Sequence, residues 1–249
     1  MKPHRSQYWL TNEREKDPEG FDQTVKVICD LYAEAPAAQE RGEHTASVDE
    51  KTGIQALERK QPTRPMKPGQ IEKREFEYER HGTQALIATF DVAIGEVFGT
   101  IDDRRTEADF VGHLEQVVAS DPDGKWTFIL DQLNTHKSES AVRFVADHCG
   151  IEVDLGVKGK SGILYSMETR AAFLQDESHR IRFVYTPKHT SWLNQVEIWF
   201  SILMRRVLKR GSFCSKQALR QRILDFIDYF NKTLAKPFKW TYTGRPLAA

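Results

Sequence analysis

The sequence predicts an α/β domain in which a mixed sheet is flanked by helices. Three β-rich runs come first, and helices and strands then alternate towards the C-terminus. The chain has 249 residues, which is enough for one well-cored domain and too few for two large ones. Hydrophobic residues make up 39% and charged residues 29%, as is usual for a globular domain. We therefore expect one main core.

The N-terminal third predicts a helix, a strand and a projecting arm. Apolar residues recur at helical spacing after Asp17 and Pro18, and this helix is expected to end before Pro36. Residues 47–56 have the pattern of a short strand that carries acidic side chains. Residues 61–80 contain three prolines and a run of charges, so we expect a long projecting loop there.

The middle of the chain predicts a hairpin, a helix and a buried strand. Residues 85–90 and 96–101 are β-rich runs on either side of a turn. Residues 107–119 carry apolar side chains on one helical face. The continuous apolar run 126–130 is typical of a strand buried on both faces, and it stops at Asp131.

The remaining elements complete the sheet. A helix over 138–148 precedes an alternating strand over 181–185. Ser191 is expected to cap a long helix, and Ser215 begins a final one. Three strands, a helix, a strand, a helix, a strand and a helix, in that order, predict a ribonuclease H-like mixed five-stranded sheet flanked by helices.

Charge is segregated along the chain although the net charge is zero. Residues 180–249 contain 14 Lys and Arg against 3 Asp and Glu, so this region carries +11 and the rest carries −11. A basic block of this kind suggests a polyanionic partner, with nucleic acid first, because phosphate neutralisation supplies most nonspecific affinity. Docking of the acidic and basic parts on each other is the alternative.

Three carboxylates fall where this order of elements would bring them together. Asp49 lies in the first strand, Asp131 ends the central strand, and Glu197 lies beside the apolar stripe of the long helix. Each like-charged pair within about 5 Å costs roughly 3 kcal/mol, and divalent cations reverse that cost. Oxygen ligands suit Mg²⁺ or Mn²⁺, and two such ions can activate an attacking hydroxyl on a phosphodiester. A core-edge Glu197 paired with an arginine is the alternative.

A basic cluster follows on the same predicted helix, largely away from its apolar stripe. We expect it to hold DNA phosphates beside the metal ions, and an ordinary solvated helix face is the alternative. Its members are Arg205, Arg206, Lys209 and Arg210.

Three segments carry a resemblance to a known family. They are VDEKT at 48–52, LDQLNTHK at 130–137 and TPKHTSWLNQVEIWF at 186–200. In order and in kind they resemble the three active-site blocks of DDE transposases, in particular bacterial insertion-sequence relatives of the Tc/mariner superfamily. The resemblance implies a ribonuclease H-like domain that cuts DNA at transposon ends and joins the freed 3′-hydroxyl to target DNA.

The resemblance also implies roles for individual residues. Asp49 and Asp131 would bind two Mg²⁺ or Mn²⁺ ions, and Glu197 would complete the catalytic site. We expect three further residues to lie beside the site, namely Asn134, His136 and Asn194. We expect three others to contact DNA, namely Lys137, Lys188 and His189.

The implied partners are terminal inverted repeats, a TA-type target and a second copy of the chain. No membrane association is expected, since no run approaches the roughly 18 apolar residues of a membrane helix. The resemblance implies no small-molecule substrate. We expect a cytoplasmic, nucleoid-associated protein. Residues 61–80 would be either the clamp loop that contacts a partner subunit or a flexible surface loop.

The predicted organisation has three parts. Residues 1–45 would be the remnant of an N-terminal DNA-binding region with a linker helix, 46–212 the catalytic domain, and 213–249 a C-terminal helix and basic tail. Because 65 residues separate the second and third catalytic carboxylates, more than the family usually has, residues 155–180 are expected to be an insertion. The alternatives to a transposase are a truncated, catalytically silent DNA-binding or oligomerising remnant and a nuclease without strand transfer.

Overall fold

The structure, a computed structural model, describes Arg14 and residues 16–244. The strands are β1 (Glu43–Arg59), β2 (Tyr78–Asp91), β3 (Val97–Asp102), β4 (Lys125–Leu130) and β5 (Ile181–Tyr185). They form one sheet in the order β3-β2-β1-β4-β5. β1, β2 and β3 are antiparallel neighbours, whereas β4 and β5 extend the sheet in parallel with β1. The predicted mixed five-stranded sheet is confirmed.

Helices cover both faces of this sheet. They are α1 (Pro18–Gln39), α2 (Glu107–Val118), α3 (Glu139–Cys149), α4 (Met167–Leu174), α5 (Val196–Leu203) and α6 (Lys216–Thr233). Apolar side chains of α1, α5 and α6 form one core with the sheet, and those of α2, α3 and α4 form another on the opposite face. No helix among the described residues is both long and apolar enough to cross a bilayer.

Along β1, successive polar and acidic side chains alternate between the two faces of the sheet. Ser47 and Asp49 make their contacts with the segment that leads into α5. Val48 belongs to the core of the α2 and α3 face, and Glu50 contacts His136 on that side. Because successive side chains of a strand point to opposite faces, two adjacent carboxylates reach different environments.

Two predicted helix boundaries are wrong. α1 does not end before Pro36 but continues to Gln39, and Ala35 and Ala38 are buried beyond the expected end. A proline this close to the C-terminus removes one helical hydrogen bond, which the burial of small side chains offsets. Ser191 does not cap a long helix, because it begins a short 3₁₀ turn, Ser191–Leu193, and α5 starts only at Val196.

The predicted projecting arm is present as an extension of the β1–β2 hairpin. β1 runs three residues beyond its expected end, to Arg59, and isolated bridges join Arg64 to Lys73 and Lys67 to Gln70. Ile71 and Phe76 are 80% and 82% exposed on this arm. We call residues 60–77 the arm.

Candidate active site

A cavity of about 430 Å³ opens at the end of β4, beside β1 and the segment before α5. It is lined by Asp49, Asp131, Gln132, Leu133, Thr186, Pro187, Lys188, His189, Thr190, Ser191 and Asn194. Two of the three predicted catalytic carboxylates therefore share one cavity. His189 has a φ of 61°, the one positive value found among the non-glycine residues that the structure describes. Left-handed backbone of this kind is uncommon outside glycine and concentrates at functional sites.

Asp49 is partly buried in β1 and surrounded by negative charge. Burial raises its pKa to about 7, and the charges of Asp131, Glu197 and Glu50 act in the same direction, against a hydrogen bond from the Glu50 amide. Both other members of the predicted triad are thus close enough to influence Asp49 electrostatically. A carboxyl with this pKa is poised to give up its proton when a cation arrives.

Asp131 is held by a buried histidine. His136 Nδ1 lies 2.9 Å from Asp131 Oδ1, and its Nε2 lies 3.2 Å from Glu50 Oε1. Burial alone would lower the pKa of His136, but the two carboxylates outweigh it and raise the pKa to about 9. Although burial opposes the change, the hydrogen bond with His136 lowers the pKa of Asp131. Asp131 is therefore ionised at neutral pH and fixed in orientation.

The start of α5 is tied to β1 through buried polar contacts. Asn194 Nδ2 donates to the Val48 carbonyl at 2.8 Å and to Asp49 Oδ2 at 3.3 Å. The amide of Val196 donates to Ser47 Oγ at 2.9 Å, so a strand side chain caps the helix. These contacts fix Glu197, one residue farther on, relative to Asp49.

Glu197 is half-buried and makes no ion pair with any residue that the structure describes. The alternative of a structural pairing with an arginine therefore has no partner among residues 14 and 16–244. Its charge acts instead on the Asp49 carboxyl.

The carboxylates suit a divalent cation. They supply oxygen ligands, and of the three only Asp131 has a cationic neighbour among the described residues. Within the described chain the triad oxygens are not all within 4.8 Å of one another, whereas the ligand atoms of Glu58, Glu79 and His81, at the base of the arm, are.

Of the predicted flanking residues, some line the cavity of the carboxylates and others lie outside it. Lys188 and His189 are exposed and line the cavity. Lys137 lies at an adjoining cavity, with Nζ 4.7 Å from the centre of the Tyr185 ring. Asn134 is exposed in a 3₁₀ turn and does not line the cavity of the carboxylates.

Two site residues were missed by sequence reasoning. Glu50, whose side chain is 3% exposed, orients His136 and lies 3.7 Å from Arg105. Ser47 caps α5. The alternation of Ser47 and Asp49 with Val48 and Glu50 carried a signal, since a charged residue on the apolar face of a strand requires a buried partner.

Residues 44–220 match the family model described as DDE superfamily endonuclease. This match spans more than half of the chain and includes all three candidate carboxylates, and the chain therefore belongs to the DDE superfamily endonucleases. No curated protein sequence matches the chain significantly.

Solved structures with the same fold come from Mos1 mariner. The Mos1 mariner paired end complex with Mn has a TM-score of 0.54 at 12% identity, covering 90% of this chain and 59% of that one. A pre-cleavage Mos1 transpososome has a TM-score of 0.51 at 11% identity, with coverages of 90% and 59%. The Mos1 transposase paired-end complex with left transposon end has a TM-score of 0.51 at 11% identity, covering 90% of this chain and 59% of that one. This chain therefore spans 59% of those chains, and the likeness confirms the predicted ribonuclease H-like fold.

Proposed function

We propose that this chain is the catalytic domain of a DDE transposase, which cuts DNA at transposon ends and joins the freed 3′-hydroxyl to a target. The observation that carries the proposal is the cavity at the end of β4. There Asp49 and Asp131 line the same cavity, and burial together with the charges of Asp131 and Glu197 raises the pKa of Asp49. The family membership supports DNA cleavage, and the likeness to paired-end complexes of Mos1 supports transposon ends as the proposed substrate.

Asp49, Asp131 and Glu197 would hold Mg²⁺ or Mn²⁺, two ions in our proposal. When bound, such ions lower the pKa of an attacking hydroxyl and stabilise the leaving oxygen of a phosphodiester. The chain itself orients the ligands. Asn194 fixes Asp49, and His136 keeps Asp131 ionised and aligned. Loss of such supporting contacts typically costs 10–100-fold in metal affinity or activity.

Basic residues around the cavity would position the DNA. Lys188 and His189 lie on its rim, and Lys137 lies at the adjoining cavity, with Nζ 3.3 Å from Gln132 Oε1. Contacts of this kind bind phosphates and set the register of the duplex without reading its bases. A TA-type target would then be selected through DNA shape or by residues farther along the chain.

The arm would bind a second copy of this chain. Met66, Ile71 and Phe76 are 73%, 80% and 82% exposed, and such apolar side chains grouped on one projection mark an interaction surface. Two catalytic domains joined in this way would act on two transposon ends.

Strand joining tests the proposal directly. The substrate is a pre-nicked duplex with the terminal sequence of the element that encodes the chain, incubated with a target plasmid and Mn²⁺. We expect joined products from the parent, and a loss of at least about 100-fold in Asp49→Asn, Asp131→Asn and Glu197→Gln, because each would remove a metal ligand.

Matched control variants distinguish chemistry from charge. Asp123→Asn and Glu152→Gln make the same changes at exposed positions away from the cavity, and they should join DNA at the parental rate. Cleavage without joining would favour a nuclease. Parental protein that binds DNA but neither cuts nor joins it, in Mg²⁺ or Mn²⁺, would favour the silent remnant.

A further inference from the structure

A second polar cleft lies beyond the C-terminal end of α5. There the helix continues as a π-helical turn, Met204–Leu208, in which the Lys209 amide donates to the Met204 carbonyl at 2.8 Å. Such turns are rare and often occur at functional sites. The cleft between this turn and α6 has a volume of about 620 Å³. Its polar lining consists of Arg205, Arg206, Arg210, Arg222, Asp225 and Tyr229. We call it the arginine cleft.

The four arginines of the cleft are exposed and uncompensated. Within the described part of the chain, none of them has an ion pair or a side-chain hydrogen bond. The acidic residue of the cleft, Asp225, accepts a hydrogen bond from Gln221 Nε2 at 2.8 Å rather than pairing with an arginine. The lining therefore carries a net charge of +3 over an apolar base formed by Val207 and Phe226.

Guanidinium groups that converge without carboxylate partners suit phosphate. Each presents a planar set of donors that matches phosphate oxygens, and each is more weakly hydrated than an ammonium. The convergence also distinguishes this cleft from an ordinary solvated helix face. Arg222 comes from α6, whereas Arg206 lies in the π-helical turn and Arg210 just after it, and the predicted member Lys209 does not line the cleft.

The position of the cleft relates it to the carboxylates. Arg205 follows Glu197 by 8 residues on the continuous helical segment that ends at Leu208, so at about 1.5 Å per residue it lies roughly 12 Å farther along the helix. A duplex advances about 3.4 Å per base pair. The span from Glu197 to the near edge of the cleft thus equals about four base pairs.

We propose that the arginine cleft binds the phosphate backbone of the DNA whose scissile bond lies at the carboxylates, beginning about four base pairs from that bond. This inference rests on the proposed function for the location of the scissile bond. The cleft contacts phosphates and sets the register of the duplex, with Arg222 and Tyr229 of α6 forming its second wall.

DNA binding tests the cleft independently of catalysis. The probe is a fluorescein-labelled 30-base-pair duplex of mixed sequence, titrated by anisotropy from 50 to 200 mM KCl. Arg210→Ala and Arg222→Ala should each weaken binding several-fold and reduce the slope of log K against log[salt] by about 1. Arg220→Ala removes the same charge from an exposed neighbour outside the cleft and should leave the slope unchanged. Equal losses in all three variants would overturn the proposal.

Strand joining tests the position. On pre-nicked duplexes that extend ten base pairs from the reacting end, Arg222→Ala should join DNA more slowly than Arg220→Ala. On duplexes cut to three base pairs and closed at the far end by a non-nucleotide linker, which keeps the two strands paired, the two variants should be equal. A difference that persists on the short duplex would overturn the placement. If the parent binds DNA through the cleft but never joins strands, the proposed function fails and the phosphate cleft stands. If strands join but Arg222→Ala behaves like Arg220→Ala, the cleft fails and the function stands.

Discussion

Replacing Asp49 with asparagine should stabilise the metal-free chain at neutral pH. Burial and the neighbouring carboxylates raise the pKa of Asp49 from 3.8 to about 7. Below pH 3.8 the Asp49 carboxyl is neutral in both the folded and the unfolded chain, so it does not change the free energy of unfolding. As the pH rises towards 7, the unfolded chain loses this proton while the folded chain keeps it, so wild-type stability is progressively lost. Above about 7 the penalty is constant. Asparagine does not titrate, so the variant does not lose this stability as the pH rises.

The expected size follows from that pKa. One pH unit corresponds to about 1.36 kcal/mol, so the interval from pH 5 to pH 7 contributes about 2–3 kcal/mol. The weak hydrogen bond from Asn194 at 3.3 Å changes in the variant, but its effect of about 1 kcal/mol does not depend on pH. The stability difference between Asp49→Asn and wild type should therefore grow by about 2–3 kcal/mol between pH 5 and pH 8.

Urea unfolding in EDTA, followed by tryptophan fluorescence at pH 5, 6 and 8, measures this difference. Asp123→Asn, in an exposed turn, is the control and should follow wild type at every pH. Mg²⁺ should stabilise the wild type by about 2.7 kcal/mol at 100 times its Kd and affect Asp49→Asn much less. The same stability difference at pH 5 and pH 8 would refute the electrostatic account of the site.

Three other changes test separate parts of the structure. His136→Gln should cost about 3–5 kcal/mol at pH 6, because it removes the closer cationic partner of the buried Glu50 carboxylate and leaves it only the 3.7 Å contact with Arg105. Because the folded pKa of His136 is raised above 6.5 to about 9, this cost should shrink as the pH rises from 6.5 through 9 in urea unfolding, and a constant cost would contradict the charged pairing. Ile71→Ser with Phe76→Ser should convert a dimer to a monomer in light scattering with a change in unfolding free energy within about 0.5 kcal/mol; an unchanged mass would argue against the arm as an interface. Phe128→Ala, at a fully buried position in the sheet, should cost about 3–5 kcal/mol in urea unfolding, and a loss below 1 kcal/mol would contradict the described core.

The sheet was largely predictable because its strands are locally consistent. The alternating run 181–185 coincides with β5, and the apolar run 126–130 differs from β4 by one residue. Ser138 and Ser215 accept hydrogen bonds from the amides of the first turns of α3 and α6, as N-caps do. Such features depend only on residues within a few positions of each other.

The start of α5 was not predictable from its own sequence. Its cap is Ser47, which lies in a strand about 150 residues earlier in the chain. The preceding turn is held by Tyr32, whose hydroxyl donates to the Leu193 carbonyl at 2.8 Å. Local reasoning therefore assigned the cap to Ser191, because a contact between distant segments leaves no local pattern.

In the candidate site, too, the features set by local sequence were predictable and those set by contacts between distant segments were not. Asp131 could be predicted from the abrupt end of an apolar strand, and Asp49 and Glu197 from the resemblance of their segments. The contact of His136 with Glu50 joins residues 86 positions apart, and the second wall of the arginine cleft comes from α6. The domain boundaries and the roles of the individual site residues stay predictions.

The segment 155–180, expected to be an insertion, contains α4 and is anchored from within. Leu164 and Leu174 are fully buried, and Arg170 donates to the carbonyls of Lys137 at 2.6 Å and Leu164 at 3.0 Å. The Lys137 carbonyl belongs to the turn that also carries His136. Removal of this segment would thus uncover one face of the core and loosen the turn that supports Asp131. The segment is therefore an integral part of the folded unit that holds the candidate site.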